Sequence, residues 1–274
     1  MDTLSISIVS HFSPRDALQR TLESLTTAVS LALTAGQLAS VKLALIDNSQ
    51  SVSEATALQQ LLEMPELAGL SPHLIQAPDN RGYGAANNLS ILHAASDFHL
   101  ILNPDVVLDE GAISAALAAM HAHPACVLLT PRAVDRSGAV QHVAKDKPGA
   151  ITLLARALPL SPRLKDLLGN RQYELRDMLV NAPTTGRFLA GGCFMFCRTH
   201  ALQRAGGFDE GYFMYFEDFD LSARLTRAGD VLYCPAVCIV HGGGGAAGKG
   251  FRHILWFSRS AGRFFRQHGW RWKS

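Results

Sequence analysis

The chain has 274 residues, 48% of them apolar and 18% charged, with a formal net charge of +2. This is one large domain or two small ones with ample length for a core, and the near-neutral charge makes no global case for nucleic acid. No apolar run approaches the ~20 residues needed to span a bilayer, and Met1-Asp2-Thr3 leads straight into strand-like sequence without the regions of a signal peptide, so a cytoplasmic protein is expected.

Leu4 to Val9 alternates and is rich in β-branched residues, which predicts a strand. Ser10-His11-Phe12-Ser13-Pro14 is a turn, with Ser13 as N-cap and Pro14 at the first helical position. The helix that follows carries Leu18, Leu22, Leu25 and Val29 on one face. Val41 to Ile46 is a strand ending on Asp47-Asn48-Ser49, Ser53 to Leu62 is helical, and His73 to Gln76 is a short strand. Asp79 to Asn88 is a glycine-containing loop that opens a helix reaching about Ala95. Phe98 to Leu102 is a strand that stops at Asn103-Pro104-Asp105, Glu110 to His121 is a helix, and Cys126 to Thr130 is a strand.

Strands alternating with helices imply an α/β fold with a mostly parallel central sheet. Ligands of such sheets bind beyond the carboxyl ends of the strands. His11, Asp47 and Asp105 follow the first, second and fourth strands, so all three could converge on one crevice.

From Ala139 to Thr185 the pattern dissolves around several prolines, and only Asp166 to Val180 reads as helix. Phe188 to Cys197 resumes the apolar pattern, with Gly191-Gly192 suggesting close approach of a ligand or another backbone. Val231 to Tyr233 and Val237 to Val240 read as two strands, the second ending on His241. Gly242 to Gly245 is a candidate lid. The tail, Gly250 to Ser274, mixes arginines with Phe and Trp. It reads either as a docked helix with snorkelling arginines or as an interfacial helix on an anionic membrane; the two are compatible.

The cysteines form two C-x3-C pairs, Cys193/Cys197 and Cys234/Cys238, with Cys126 apart. In extended chain the members of a pair lie roughly 13 Å apart, too far to share a zinc ion. Buried reduced thiols are expected instead.

Gly206 to Ala228 sets Asp209, Glu210, Glu217, Asp218 and Asp220 among seven large apolar side chains. Carboxylates in such company are costly unless paired or put to use. A helix starting near Glu217 puts Glu217 and Asp218 in its first turn, where the helix dipole favours negative charge. The acids are therefore either dipole trim on an amphipathic helix or the wall of a cleft that holds a general base. Asp105, just past a buried strand, is of the type that binds a hard divalent cation, with His241 able to add a nitrogen. Such a cation would neutralise a leaving diphosphate. Alone, N-P-D is an ordinary turn.

Taken in order, Ile6-Ser7-Ile8-Val9-Ser10, Asp47-Asn48-Ser49, Asn80-Arg81-Gly82-Tyr83-Gly84-Ala85-Ala86-Asn87-Asn88, Leu102-Asn103-Pro104-Asp105, Gly207-Phe208-Asp209-Glu210, Tyr215 to Leu221 and His241 resemble the inverting glycosyltransferases of family 2, in their rhamnosyltransferase-like branch. The resemblance runs from about Ser5 to His241 and covers no motif of the insertion. It implies a glycosyltransferase A fold, with a nucleotide-sugar half at 1–131, an acceptor half at 132–249 that includes the insertion 139–185, and the basic aromatic helix at 250–274.

By the same resemblance Asp47 would contact the base, Ser10 and His11 would line the nucleotide, and Asn48, Arg81, Gly82, Gly84, Asn87 and Lys249 would join them at the donor. Asn103 and Asp105 stand where the family has D-x-D, with Asp105 the ligand of Mg2+ or Mn2+ and His241 completing the metal or diphosphate site. Asp218 would be the catalytic base, beside Glu217. Asn103 departs from the general D-x-D pattern, but N-P-D is usual in this branch, whose donor is typically dTDP-rhamnose. The implied acceptor is a hydroxyl of a growing, lipid-linked cell-surface glycan such as a lipopolysaccharide O-antigen, met at the inner membrane face. Two other classes compete. A nucleotidyltransferase would carry a Gly-rich basic loop where Ser10 to Pro14 stands. A catalytically silent nucleotide-sugar or glycan-binding module would have no need of Asp105, Asp218 and His241 together.

Overall fold

A computed structural model of the protein describes residues 1–177, 181–242 and 250–274. In chain order, β1 (Asp2–Ser10), α1 (Arg15–Thr34), β2 (Leu38–Asp47), α2 (Val52–Leu62), β3 (Pro72–Gln76), α3 (Tyr83–Ile91), β4 (Phe98–Leu102), β5 (Val106–Leu108), α4 (Ala112–Ala122) and β6 (Cys126–Val134) make the first half. Short pieces follow: β7 (Val140–Gln141), β8 (Ala144–Lys145), α5 (Ala150–Ala157), α6 (Pro162–Leu167), α7 (Asn170–Tyr173), β9 (Thr184–Gly186) and β10 (Leu189–Ala190). The chain closes with β11 (Phe194–Arg198), α8 (Thr199–Arg204), α9 (Glu217–Leu225), β12 (Asp230–His241) and α10 (Phe251–His268).

The main sheet runs β3-β2-β1-β4-β11-β6-β12-β5. β3, β2, β1 and β4 are mutually parallel, and β12 is parallel to β6. β11 is antiparallel to both β4 and β6, and β5 is antiparallel to β12. The expected α/β sheet is therefore mixed at two places, and its other main strands share one direction. That direction sets the ends of β1, β2, β4 and β12 at one edge, where ligands of such sheets bind. The core follows from the apolar alternation: Leu18, Leu22, Leu25 and Val29 of α1 pack on Ile6, Ile8, Leu43 and Leu100, all of them buried. A buried polar line crosses this layer. His99 lies between Ser5 Oγ (2.6 Å from Nδ1) and Ser7 Oγ (3.0 Å from Nε2), and Ser7 Oγ donates to Asn87 Oδ1 at 2.7 Å. Burial pushes the His99 imidazole down to about 3, so it is neutral.

Several boundaries differ from the sequence reading. Pro14 is itself the N-cap of α1 and Ser13 makes no cap, because Pro14 has extended ψ and already supplies the carbonyl that Leu18 N bonds. α3 stops at Ile91, short of Ala95. The expected helix from Asp166 to Val180 is instead α6 and α7, separated by Gly169 at φ +97°, a left-handed value that no continuous helix accommodates; its last three residues lie outside the described residues. The two late strands are one, β12, with a register shift between Cys234 and Cys238. The cysteines are free thiols, and all but half-buried Cys238 are buried.

The insertion is organised by charge as well as by apolar packing. Glu174 takes Lys145 (3.5 Å), Arg156 (2.6 Å) and Arg176. Burial pushes its carboxyl up, but these cations hold it at about 2. The tail docks, as one of its two readings expected. Phe264 of α10 is buried against Tyr212, Phe216 and Leu189, Arg263 grips Asp209 at 2.8 Å, and the last residues pair with the insertion through Ala150 N to Arg271 O and Ile151 N to Trp272 O. Among the described residues no helix is long and apolar enough to cross a membrane.

Candidate active site

Three stretches far apart in sequence meet on Gly192 and Cys193, at the entry to β11. Tyr83 OH donates to Gly192 O at 3.1 Å. Gly192 N donates to Asp218 Oδ2 at 2.7 Å. Asn103 N donates to Cys193 O at 3.0 Å. Because β4 and β11 pair with Leu102 opposite Phe194, the Asn103-Pro104-Asp105 turn and the Gly191-Gly192 turn leave the sheet side by side. Burial pushes the Cys193 thiol up to about 12, with the Asp218 and Asp105 carboxylates adding to the shift, so both acids lie within electrostatic reach of it.

The acids of the aromatic stretch then divide by partner. Asp209 is held by Arg263, Glu210 by Arg81 (2.8 Å), and Asp220 by Arg224 (2.8 Å) and His268 (2.8 Å). Among the described residues, neither Glu217 nor Asp218 has a cationic partner. Both sit in the first turn of α9, as the sequence implied. Asp218 is half-buried; its other oxygen accepts from Phe219 N at 2.8 Å. Glu217 is 7% exposed, and its Oε2 is buried without a hydrogen-bond partner among the described residues. Burial raises both carboxyls. Glu217 is raised further by the charge of Asp218, whereas the amides of Gly192 and Phe219 draw Asp218 back down. The pair thus splits into a neutral Glu217 and a more acidic, anchored Asp218. The latter can take a proton from a hydroxyl brought within hydrogen-bond distance.

Asp105 and His241 also meet. β12 ends beside β5 with His241 opposite Val106, which sets His241 Nε2 3.6 Å from Asp105 Oδ1. Gln141 of β7 orients the ring: its Nε2 donates to His241 O at 3.2 Å, which turns its Oε1 to His241 Nδ1 at 3.0 Å. An amide oxygen only accepts, so Nδ1 carries a proton, and Nε2 is the ring nitrogen turned towards Asp105. A carboxylate oxygen and an imidazole nitrogen are donor types that fit a divalent cation. Among the described residues no group of three or more His, Cys, Asp or Glu side chains could hold a metal by itself. A cleft of about 390 Å³ opens here, lined by Asp105, Val240, Gly242, Arg20 and Arg136 among others.

The residues expected at the donor include another group. Ser10 pairs with Asp47 across β1 and β2. His11 Nδ1 lies 3.0 Å from Asn48 O, and Asn48 Nδ2 donates to Asn80 Oδ1 at 3.1 Å. Asp47 is buried, and its Oδ1 accepts from Ser49 N at 2.8 Å. Ser10 Oγ and Asn48 Oδ1 are buried with no protein partner among the described residues, which is a cost unless a bound molecule satisfies them.

Gly82, Gly84 and Asn87 lie in contacts internal to the protein, whereas Arg81 is exposed and paired with Glu210. A Cβ on Gly82 would stand 2.0 Å from Phe213 O, and one on Gly84 2.9 Å from Phe208 Cβ. Asn87 uses Oδ1 on Ser7 and Nδ2 on Tyr83 O. This loop therefore clamps the acid-aromatic stretch, helped by Asn88, whose side chain bonds Phe208 N and O. Lys249 and most of the glycine run, Gly243 to Gly245, lie outside the described residues.

Sequence reasoning gave no role to Gln141, Arg136, Tyr83 or Asn80. Tyr83 and Asn80 stand in the recognised loop; Gln141 and Arg136 lie where no periodicity or motif marks them.

The Glycosyl transferase family 2 profile matches residues 5–206. A curated relative, the N-acetylglucosaminyl-diphospho-decaprenol L-rhamnosyltransferase of Mycobacterium tuberculosis, is 30% identical over 254 residues, which are 88% of this chain and 76% of the relative. Rhamnosyltransferase WbbL of Escherichia coli is 28% identical over 173 residues, 58% of this chain and 60% of that protein. Among solved structures, GalNAc-T7 with UDP, GalNAc and Mn2+ superposes with a TM-score of 0.64 at 17% identity, over 90% of this chain and 44% of that one. The mannosyltransferase PcManGT of Pyrobaculum calidifontis, in complex with GDP-Man and Mn2+, gives 0.61 at 13% identity, over 96% of this chain and 64% of that one. The structural likenesses speak to fold alone, which is the glycosyltransferase A arrangement expected. With a profile match over most of its length, the chain belongs to glycosyl transferase family 2 and is a rhamnosyltransferase-like glycosyltransferase.

Proposed function

We propose that the chain transfers L-rhamnose from dTDP-rhamnose to a hydroxyl of a lipid-linked cell-surface glycan, inverting the anomeric centre. The observation that carries the mechanism is Asp218, which like its neighbour Glu217 has no cationic partner among the described residues and is held by Gly192 N at the entry to β11. Asp218 takes the proton of the acceptor hydroxyl as its oxygen bonds the anomeric carbon. The bond from that carbon to the diphosphate breaks, and the nucleoside diphosphate leaves with the electron pair. Asp105 and His241 would hold a divalent cation, Mg2+ or Mn2+, which when bound would supply charge neutralisation to the departing diphosphate. Ser10, His11, Asp47 and Asn48 form the nucleoside end, where the two orphaned buried oxygens favour a polar ligand. The choice of donor sugar is supported by the two rhamnosyltransferases that the chain resembles.

Peripheral association with the inner membrane face belongs to this reading. Phe251, Ile254, Leu255, Trp270 and Trp272 of the tail are exposed, as are Leu154 and Leu167 of the insertion. Because Phe264 and Phe265 are buried in the core, cutting off the tail would disrupt the fold; the membrane test is flotation with anionic liposomes of the full chain against a Trp270→Ala/Trp272→Ala variant. Equal flotation would remove those tryptophans from the proposal.

The donor is tested by a thermal-shift panel of nucleoside diphosphates and nucleotide-sugars with Mn2+, Mg2+ or chelator. A metal-dependent shift larger for dTDP-rhamnose than for UDP or GDP ligands is expected. A preference for UDP ligands would overturn rhamnose, and no shift with any nucleotide would favour a silent binding module.

A further inference from the structure

α10 presents an arginine stripe that the transfer chemistry above does not use. Arg252, Trp256, Arg259, Arg263 and Arg266 recur at alternating spacings of four and three, so they share one face of the helix. This face borders a cleft of about 400 Å³ whose opposite wall is Arg81, Glu210, Gly211 and Phe213. The charges in the cleft do not balance. Arg263 is matched by Asp209 and Arg81 by Glu210. Arg259 and Arg266 line the same cleft, and among the described residues neither has an acidic partner. An excess of guanidinium groups around a concave space is the arrangement that binds phosphate oxygens.

The rest of the wall is apolar. Trp256 packs on Phe213 with ring centroids 4.9 Å apart, and Arg252 lies over the Trp256 ring. Phe251, Ile254 and Leu255, in the first turns of the same helix, are each more than half exposed. Leu255 is one turn from Arg259, so apolar surface continues directly from the cationic cleft. Phe213, on the cleft wall, carries the carbonyl on which the Gly82 loop closes, and it precedes Asp218 by five residues in the chain.

We propose that this cleft is the acceptor's diphosphate subsite: Arg259 and Arg266 bind the diphosphate of a prenyl-diphosphate-linked glycan, and its apolar chain leaves over Leu255, Ile254 and Phe251. The proposal rests on the reading of the protein as a transferase with a lipid-linked acceptor, and it names how that acceptor is held. The site is separate from the Asp105 cleft, which has its own arginines, Arg20 and Arg136.

The test uses the full chain and farnesyl diphosphate, titrated by calorimetry in the presence of chelator so that the metal site does not compete. Binding is expected, and at least tenfold weaker binding is expected in an Arg259→Gln/Arg266→Gln variant. Both arginines are exposed, so the variant should fold; a retained thermal shift with a nucleoside diphosphate and Mn2+ checks this. Farnesol should not bind, and inorganic pyrophosphate should bind more weakly than farnesyl diphosphate. Equal affinity of the two proteins for farnesyl diphosphate, or no binding by either, overturns the subsite. Pyrophosphate binding as tightly as farnesyl diphosphate overturns the apolar path. If the substitutions abolish binding to phosphatidylglycerol vesicles but spare farnesyl diphosphate, the arginines serve lipid headgroups and the subsite is overturned. Prenyl diphosphate binding needs no sugar transfer. Absence of prenyl diphosphate binding by the unsubstituted chain, with an intact nucleotide shift, therefore counts against the subsite alone, and a missing nucleotide shift with prenyl diphosphate bound counts against the donor reading alone.

Discussion

The backbone amide of Gly192 donates to Asp218 Oδ2 at 2.7 Å, and a Cβ on Gly192 would stand 3.2 Å from Asp218 Cβ. This contact aims the carboxylate from the mouth of β11, next to the Asn103-Pro104-Asp105 turn. Asp218→Asn should lower kcat by about 10²–10⁴-fold, the range of a lost general base, and leave the nucleotide-induced thermal shift intact. Gly192→Ala should lower kcat by roughly tenfold, because a small misplacement of a catalytic group is costly. Wild-type turnover by Asp218→Asn would sink the assignment.

Glu217 is expected to be the silent member of the pair. Burial and the neighbouring charge hold its carboxyl protonated, so Glu217→Gln should keep kcat/KM within a few-fold and leave the acid limb of its pH profile in place. That limb belongs to Asp218, which must be ionised to accept a proton. Because burial raises Asp218, activity should fall as pH drops through a value above the ordinary carboxylate range. A limb that disappears in Glu217→Gln would exchange the two roles. The raised Glu217 also carries a stability sign: its contribution is present at low pH and lost as pH rises.

The Asp105–His241 pair makes metal dependence testable residue by residue. Asp105→Ala should abolish the Mn2+-dependent part of nucleoside-diphosphate binding, and chelator should do the same to the wild type. Gln141→Leu removes the acceptor that orients His241; its affinity for Mn2+ in the presence of the nucleotide should fall about tenfold or more, as for other outer-shell partners of metal-ligating histidines. Titration calorimetry reads both, and unchanged metal dependence in Asp105→Ala would remove this site.

Gly82 has φ +99° and faces Phe213 O. An alanine there would combine a strained backbone with a clash against a carbonyl. Gly82→Ala should cost at least about 2 kcal/mol of unfolding free energy, read by denaturant titration. Because Phe213 lines the turn that leads to Asp218, the same variant should lose turnover even where it stays folded.

His99 should make the fold acid-sensitive. Its folded-state pKa of about 3 lies below its unfolded value of about 6.5. Its contribution is therefore complete above pH 6.5 and declines as pH falls towards 3, by about 2 kcal/mol at pH 5. Imidazole NMR should show His99 neutral at pH 5; a charged ring at that pH would refute the assignment.

Much of this was local and hence legible in the chain. The strands announced themselves by β-branched runs, α1 by the spacing of Leu18, Leu22, Leu25 and Val29, and the start of α9 by its acids; the ordered motifs led to the family. Local patterns failed where backbone conformation depends on distant partners. The helix expected after Asp166 breaks at Gly169, where Thr152 Oγ1 and Lys273 crowd the turn from remote parts of the chain. The two strands expected around Pro235 are one, because β6 pairs on both sides of the bulge.

The site shows the same division. Asp218, Asp105 and His241 could be named from sequence because the ordered motifs around them resemble the family; alone, the N-P-D turn is ordinary. Which two of the five acids have no cationic partner among the described residues was decided only by folding, since Arg263 reaches Asp209 and His268 reaches Asp220 from a helix some fifty residues later. Gln141 on His241 and Gly192 on Asp218 are likewise contacts of the tertiary structure. A sequence specifies which groups are present and their local conformation; charge pairing and burial depend on distances through space, and these exist only once the sheet has brought the strand ends together.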